Sequence, residues 1–252
     1  MKKFKVGLLT MSDGREYLHQ LQYDMNLQYQ HDICKRLEDT GLIEVIEGAA
    51  PVHSNYEARK EGERFRQAGA EVTIFNYAIW CYPQFTAAAV DFAPGPYILF
   101  CNIHPSECGM VGMMAAAGMM DQLGLVYEKI WGDIGEDDVL QRLLMCVRGM
   151  AAVNRLRGNT YGNFGGRPMG MYTAVANLDQ WKKKFGIDVE NLEQYDILRY
   201  GEAVPQEKVR RAEGWLKQSA GRVEYNGSNL TVEKLEKQIG SYYALRKLAE
   251  EK

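Results

Sequence analysis

Arg15, Trp80, His104 and Glu107 are the side chains of this sequence whose types and placement could do chemistry. Each follows an apolar, β-rich run. Phe4 to Met11 precedes Ser12, Asp13, Gly14 and Arg15; Val72 to Phe75 precedes Trp80, Cys81 and Tyr82; Tyr97 to Asn102 precedes His104, Ser106 and Glu107. A helical pattern follows each loop, so the strands are predicted to run parallel, with their loops at one carboxyl edge, where open α/β sheets hold ligands. Arginine offers forked donors to hydroxyls and tryptophan an apolar face to a ring or chain, the combination a polyol or sugar site uses. Taken singly, Arg15 reads as a solvated surface arginine and Trp80 as a partly buried packing residue. Their shared rim, with His104 and Glu107 at its border, is what singles them out.

The elements that must position these groups alternate along the chain. After the first strand, Leu18, Leu21, Met25, Tyr29, Ile33 and Leu37 recur at three- and four-residue steps, the stripe of a helix lying on a sheet. A strand at Ile43 to Ile46, a charged helix from Asn55 to Ala68 and a short helix from Phe85 to Val90 follow. The helix from Gly109 to Leu123 is apolar on nearly every face, which predicts burial on more than one side, by the core and by another subunit. A strand from Leu125 to Trp131 and a helix from Asp137 to Arg157 complete five strand and helix alternations. The expected fold is α/β, a doubly wound Rossmann/flavodoxin-like parallel sheet over residues 1–157, plus part of a second α/β domain over 158–252. The glycine-rich stretch Asn159 to Gly170 opens that second domain; helices at Asp179 to Phe185, Gln206 to Ser219 and Val232 to Glu250 and one strand at Asp188 to Leu192 leave it incomplete. The last helix carries Leu235, Ile239, Tyr242, Leu245 and Leu248 as its packing stripe.

Composition narrows the function classes. With 252 residues, 46% hydrophobic and 25% charged, and a net charge of −3, the chain can bury a core and has no basic excess to attract nucleic acid or an acidic membrane. No apolar run is long enough to span a bilayer, and the amino terminus reads as a strand rather than a secretory signal. Five cysteines, an odd number without paired spacing, suit a reducing cytoplasm. Cys101, His104 and Cys108 invite a zinc reading, but a structural site needs four ligands and no neighbouring cluster supplies the fourth. Neither a dinucleotide glycine fingerprint nor a Walker lysine motif follows the first strand. A flavin-dependent redox protein would share only the strand order.

The Asp13-Gly14-Arg15 loop, the Ile79-Trp80-Cys81-Tyr82 segment, the run ILFCNIHPSECGMVGMMAAAGMMDQLG and above all NFGGRPMGMYTAVANLDQWKKKFGIDVE resemble the amino-terminal half of the L-fucose/L-arabinose isomerase family, closer to the L-fucose isomerase-like proteins. The resemblance implies interconversion of an aldose and a ketose, L-fucose or D-arabinose type, through an ene-diol with a divalent metal, usually manganese. It implies a hexameric assembly in which the first domain closes a neighbouring subunit's site. By that resemblance Arg15 and Trp80 touch the sugar, Met169 lines the site from the second domain, and this chain holds no catalytic residue and no metal ligand of its own. The family's glutamate, aspartate and histidine ligands fall in the part that would follow Lys252. The chain is therefore expected to be a truncation, a natural split subunit with a partner carrying the metal half, or a non-catalytic sugar-binding or regulatory module.

Overall fold

The structure, a computed structural model, describes residues 2–251. Five apolar runs form one parallel sheet: β1 (Phe4–Met11), β2 (Ile43–Glu47), β3 (Val72–Tyr77), β4 (Tyr97–Asn102) and β5 (Tyr127–Gly132). Their order is β2-β1-β3-β4-β5, with every neighbouring pair parallel. The three central strands are buried almost throughout, which is why they read as continuous apolar runs rather than alternating ones.

The connecting helices are α1 (Glu16–Glu38), α2 (Asn55–Ala68), α3 (Pro83–Val90), α4 (Gly109–Gln122) and α5 (Asp137–Leu156). Leu9, Met11, Phe75, Tyr77 and Leu99 face the core made with α2, α3 and α4. Val6, Leu8, Ile74, Ile98 and Phe100 face the opposite core, made with α1 and α5. The fold is thus doubly wound, and the winding reverses between β1 and β3. No helix among the described residues is long and apolar enough to cross a membrane.

The α1 stripe differs from expectation. Leu21 is exposed, whereas His19, Asn26 and Gln30 are buried. The cause is the end of β1, which runs past β2 and leaves backbone groups to be paired. Gln30 Oε1 accepts from the Thr10 N–H at 3.1 Å, and its Nε2 donates to the Gly48 carbonyl at 2.8 Å. Polar side chains satisfy buried backbone here, and hydrophobic periodicity does not register that need.

The chain divides between Arg155 and Leu156 into two compact units. In the second, β6 (Thr160–Phe164) lies inside the stretch expected to be only a glycine-rich break, and pairs in parallel with β7 (Asp188–Leu192). Helices α6 (Leu178–Phe185), α7 (Gln194–Glu202), α8 (Gln206–Ser219) and α9 (Val232–Glu251) complete the unit. Helix α7 was not expected, and it is what α9 packs on. A Cβ on Gly240 would lie 2.9 Å from the Gly201 carbonyl oxygen, so the two helices meet backbone to backbone. That contact turns Leu235, Gly240, Ala244 and Leu248 inward and leaves Tyr242 and Leu245 of the expected stripe exposed.

Two glycines of α4 separate packing from propensity. A Cβ on Gly109 would meet the Tyr77 and Ala78 carbonyl oxygens at 2.5 and 2.7 Å, while one on Gly118 meets nothing within 4 Å. Gly109→Ala is expected to lower stability by about 1–3 kcal/mol because backbone cannot yield cheaply. Gly118→Ala is expected to raise it by roughly 0.5–1 kcal/mol through chain entropy. Urea midpoints at an unchanged slope decide the matter; equal shifts in the two variants would contradict the close approach.

Candidate functional site

The β1–α1 and β3–α3 loops leave adjacent strands at the same level, since the last pair in register is Met11 with Tyr77. They flank the point where the winding reverses, the crevice in which doubly wound sheets hold ligands. Arg15 stands at the N-cap of α1, half exposed. Asp13, only 2% exposed, holds it. Arg15 Nη2 donates to Asp13 Oδ2 at 2.6 Å and Nε to Oδ1 at 3.0 Å, while the Arg15 backbone N–H donates to the same Oδ1 at 2.9 Å. The guanidinium's hydrogen bonds hold the Asp13 carboxyl below its usual range, despite burial. A buried carboxylate left without this partner would be costly, so the pair fixes one edge of the fork and leaves the other to solvent.

Trp80 is half-buried on the second loop and meets Tyr82 edge to face at 6.5 Å. Tyr82 reaches across to the first loop, where a Cβ on Gly14 would collide with its ring at 2.3 Å. The two loops therefore interlock, and only glycine fits at position 14. Beneath Trp80, Gly112 of α4 lies against loop backbone: a Cβ there would be 2.9 Å from the Ile79 carbonyl oxygen. The missing side chains of α4 thus set the height of the tryptophan loop.

His104 and Glu107 follow β4 and lean on α1. Gln22 Nε2 donates to Glu107 Oε2 at 2.7 Å, and the His104 ring meets Tyr29 edge on at 6.4 Å. His104 Nδ1 accepts from the Ser106 N–H at 3.2 Å. Met169 belongs to the second unit, where it is 90% exposed with left-handed backbone, φ 48°. Cys101 lies in β4 ahead of the His104 loop, buried, with its thiol pushed up to about 11 by desolvation. Cys108 is exposed at the N-cap of α4. Among the described residues no three His, Cys, Asp or Glu side chains are arranged to hold a metal ion.

Residues 3–158 match the family described as L-fucose isomerase, first N-terminal domain. The chain belongs to the L-fucose isomerase family. Its relatives include the L-fucose isomerases of Haemophilus influenzae strain PittEE, 24% identical over 86% of this chain and 39% of that protein, and of Phocaeicola vulgatus, 26% over 79% and 36%. The L-fucose isomerase of Bacteroides fragilis strain ATCC 25285 is 24% identical over 91% of this chain and 42% of that protein. The chain thus spans about two fifths of the length of the curated relatives it matches.

In this member of the L-fucose isomerase family the rim has a buried polar footing that sequence reasoning missed. The Ser12 hydroxyl lies 2.9 Å from His19 Nδ1 and accepts from Asn26 Nδ2 at 3.4 Å. The His19 ring stacks on His53 with centroids 3.9 Å apart and planes 14° from parallel, and Tyr23 meets it edge on. His53 Nε2 is 3.3 Å from Glu16, and its Nδ1 is 3.0 Å from Glu57, a contact not aligned as a hydrogen bond. Histidines 34 residues apart on different elements leave no local spacing signal. The Asp13 and Arg15 spacing did leave one, since a side chain two residues ahead can take the backbone N–H in an Asx turn.

Burial and the neighbouring His53 hold the His19 pKa below its ordinary value of 6.5. The unfolded chain therefore takes up a proton that the folded chain resists. Stability is complete above the unfolded value and is lost as pH falls from it towards the lowered folded value. The thermal midpoint is expected to decline below about pH 6.5. His19→Gln keeps a polar contact to Ser12 and is expected to flatten that decline; an unchanged slope would remove His19 as its source. The Asp13 contribution disappears only at more acid pH, below the ordinary carboxylate value of 3.8.

Proposed function

We propose that this chain forms the substrate-recognition and scaffold portion of a cytoplasmic aldose–ketose isomerase of L-fucose/D-arabinose or L-arabinose type, acting with a polypeptide that supplies a manganese site. Residues 1–157 serve as the recognition domain, and 158–252 begin a second α/β domain. Supporting this reading above all is the position of Arg15 and Trp80 on the two loops beside the β1/β3 reversal, in a chain of this family. Arg15, its fork aligned by Asp13, donates to sugar hydroxyls, and Trp80 offers its face to the ring or open chain. His104 and Glu107 border that rim, and Met169, exposed on the second unit, is proposed as a further sugar-binding residue. Proton transfer between the two sugar carbons belongs to groups outside this chain, which binds and orients. Val111 and Met114, exposed on α4, fit contacts with neighbouring copies in an oligomer. All five cysteines are free, in keeping with a reducing compartment.

The test is reconstitution. The purified chain alone is expected to convert no L-fucose, and addition of a carboxyl-terminal polypeptide carrying the family's glutamate, aspartate and histidine is expected to restore metal-dependent conversion. In that assembly Arg15→Ala and Trp80→Ala are each expected to lower kcat/KM tenfold or more, about 1.4 kcal/mol, chiefly through KM. Wild-type kinetics in both variants would remove these residues from the site. Sugar bound by the reconstituted complex without conversion would favour the non-catalytic binding module.

A further inference from the structure

Two parallel strands do not make a finished sheet, because parallel sheets are covered on both faces and pair along more than one edge. β6 and β7 pair over five residues, from Thr160 with Asp188 to Phe164 with Leu192. One face is covered by α6, where Tyr161 packs on Trp181 with ring centroids 5.0 Å apart. The other opens into a groove of about 390 Å3 bounded by Gly162, Phe164 and Leu192 of the strands and Leu245 and Leu248 of α9.

The backbone shows which edge is unused. The Asn159 carbonyl accepts from the Asp188 N–H at 3.0 Å, and the Gly165 N–H donates to the Leu192 carbonyl at 3.4 Å. Alternation along a parallel strand then turns the N–H and C=O groups of Thr160, Gly162 and Phe164 away from β7. The first unit offers the comparison. There β1, α1 and β2 follow the same strand, helix, parallel strand order, and β1 carries β3 on the edge opposite β2. β6 holds the place of β1, and among the described residues no strand holds the place of β3. A second copy related by a two-fold axis would meet β6 antiparallel and could not continue the parallel sheet. The relatives extend well beyond the match, which covers only 39% and 42% of the Haemophilus and Bacteroides fragilis proteins.

We propose that the free edge of β6 docks one parallel strand from a polypeptide corresponding to the relatives' remaining length, and that an apolar element attached to that strand fills the groove beside Gly162. This deepens the proposed function, whose second polypeptide it gives a landing place. Main-chain pairing supplies the attachment and the groove the side-chain selection.

The full chain is coexpressed with the portion of the Haemophilus influenzae relative lying beyond the match, and separately with that of the Bacteroides fragilis relative. A one-to-one complex is expected by light scattering with at least one probe, with amide exchange at Thr160, Gly162 and Phe164 slowed tenfold or more. Gly162→Pro removes a donor from the free edge without touching the β7 ladder and is expected to abolish the complex. Asn191→Pro, on the outer edge of β7 by the same alternation, is expected to spare it. Amide exchange at Tyr161 and Asn163 in the uncomplexed variants reports whether the β6–β7 ladder survives; should Gly162→Pro lose it, the exchange pattern of the wild-type complex decides. No complex with either probe, a complex that survives Gly162→Pro with its ladder intact, protection on β7 instead of β6, or self-association through β6 would each overturn the proposal. A β6-dependent complex that converts no sugar leaves the docking edge standing and overturns the isomerase reading. Sugar conversion by a complex indifferent to Gly162→Pro does the reverse.

Discussion

Six parallel residue pairs between β1 and β3, from Val6 with Val72 to Met11 with Tyr77, hold the centre of the first unit. They join the two strands whose following helices go to opposite faces, so this ladder both unites the two cores and opens the crevice between the loops. Because it ends level, Arg15 and Trp80 follow at similar short distances from the sheet. Everything above it then settles by close backbone approach: Tyr82 over Gly14, and α4 against the carbonyls of Tyr77, Ala78 and Ile79. A bulkier residue at any of these glycines would lift a loop and move the rim.

How much was legible in the sequence followed from which forces shaped each element. β1, β4 and α2 matched expectation residue for residue, since burial on both faces or a serine cap at Ser54 with a glycine stop at Gly69 marks their ends. β3 runs two residues further, through Asn76 and Tyr77, because its end is stabilised by pairing to β1 and by the Tyr77 hydroxyl bond to Thr86 rather than by an apolar pattern. β6 was hidden by glycines whose turn signal outweighs a five-residue strand, and α7 by a polar sequence whose helicity depends on its packing against α9. At the site the pattern of strand ends exposed the rim, whereas the His19 and His53 stack is a product of tertiary contact alone.

The two units differ in how they are held. The first has two continuous cores beneath its sheet, while Val209, Leu235, Ala244 and Leu248 make up nearly all of the buried hydrophobic surface described in the second. Exposed aromatics such as Tyr172, Tyr195 and Trp215 leave the second unit with more apolar surface than a sheet of two strands can cover. Its internal order rests instead on the Gly201 and Gly240 contact, where two helices approach without intervening side chains.

The cysteines distribute the molecule's thiol chemistry unevenly. Cys34, Cys81 and Cys101 are buried with their thiols raised by desolvation, and Cys146 is half-buried and raised as well. Thiolate is the reacting form, so these four are slow towards alkylating reagents. Cys108 alone is exposed, at the start of the helix that sets the height of the tryptophan loop. Cys108 is therefore the native thiol best placed to carry a fluorophore or spin label beside the rim.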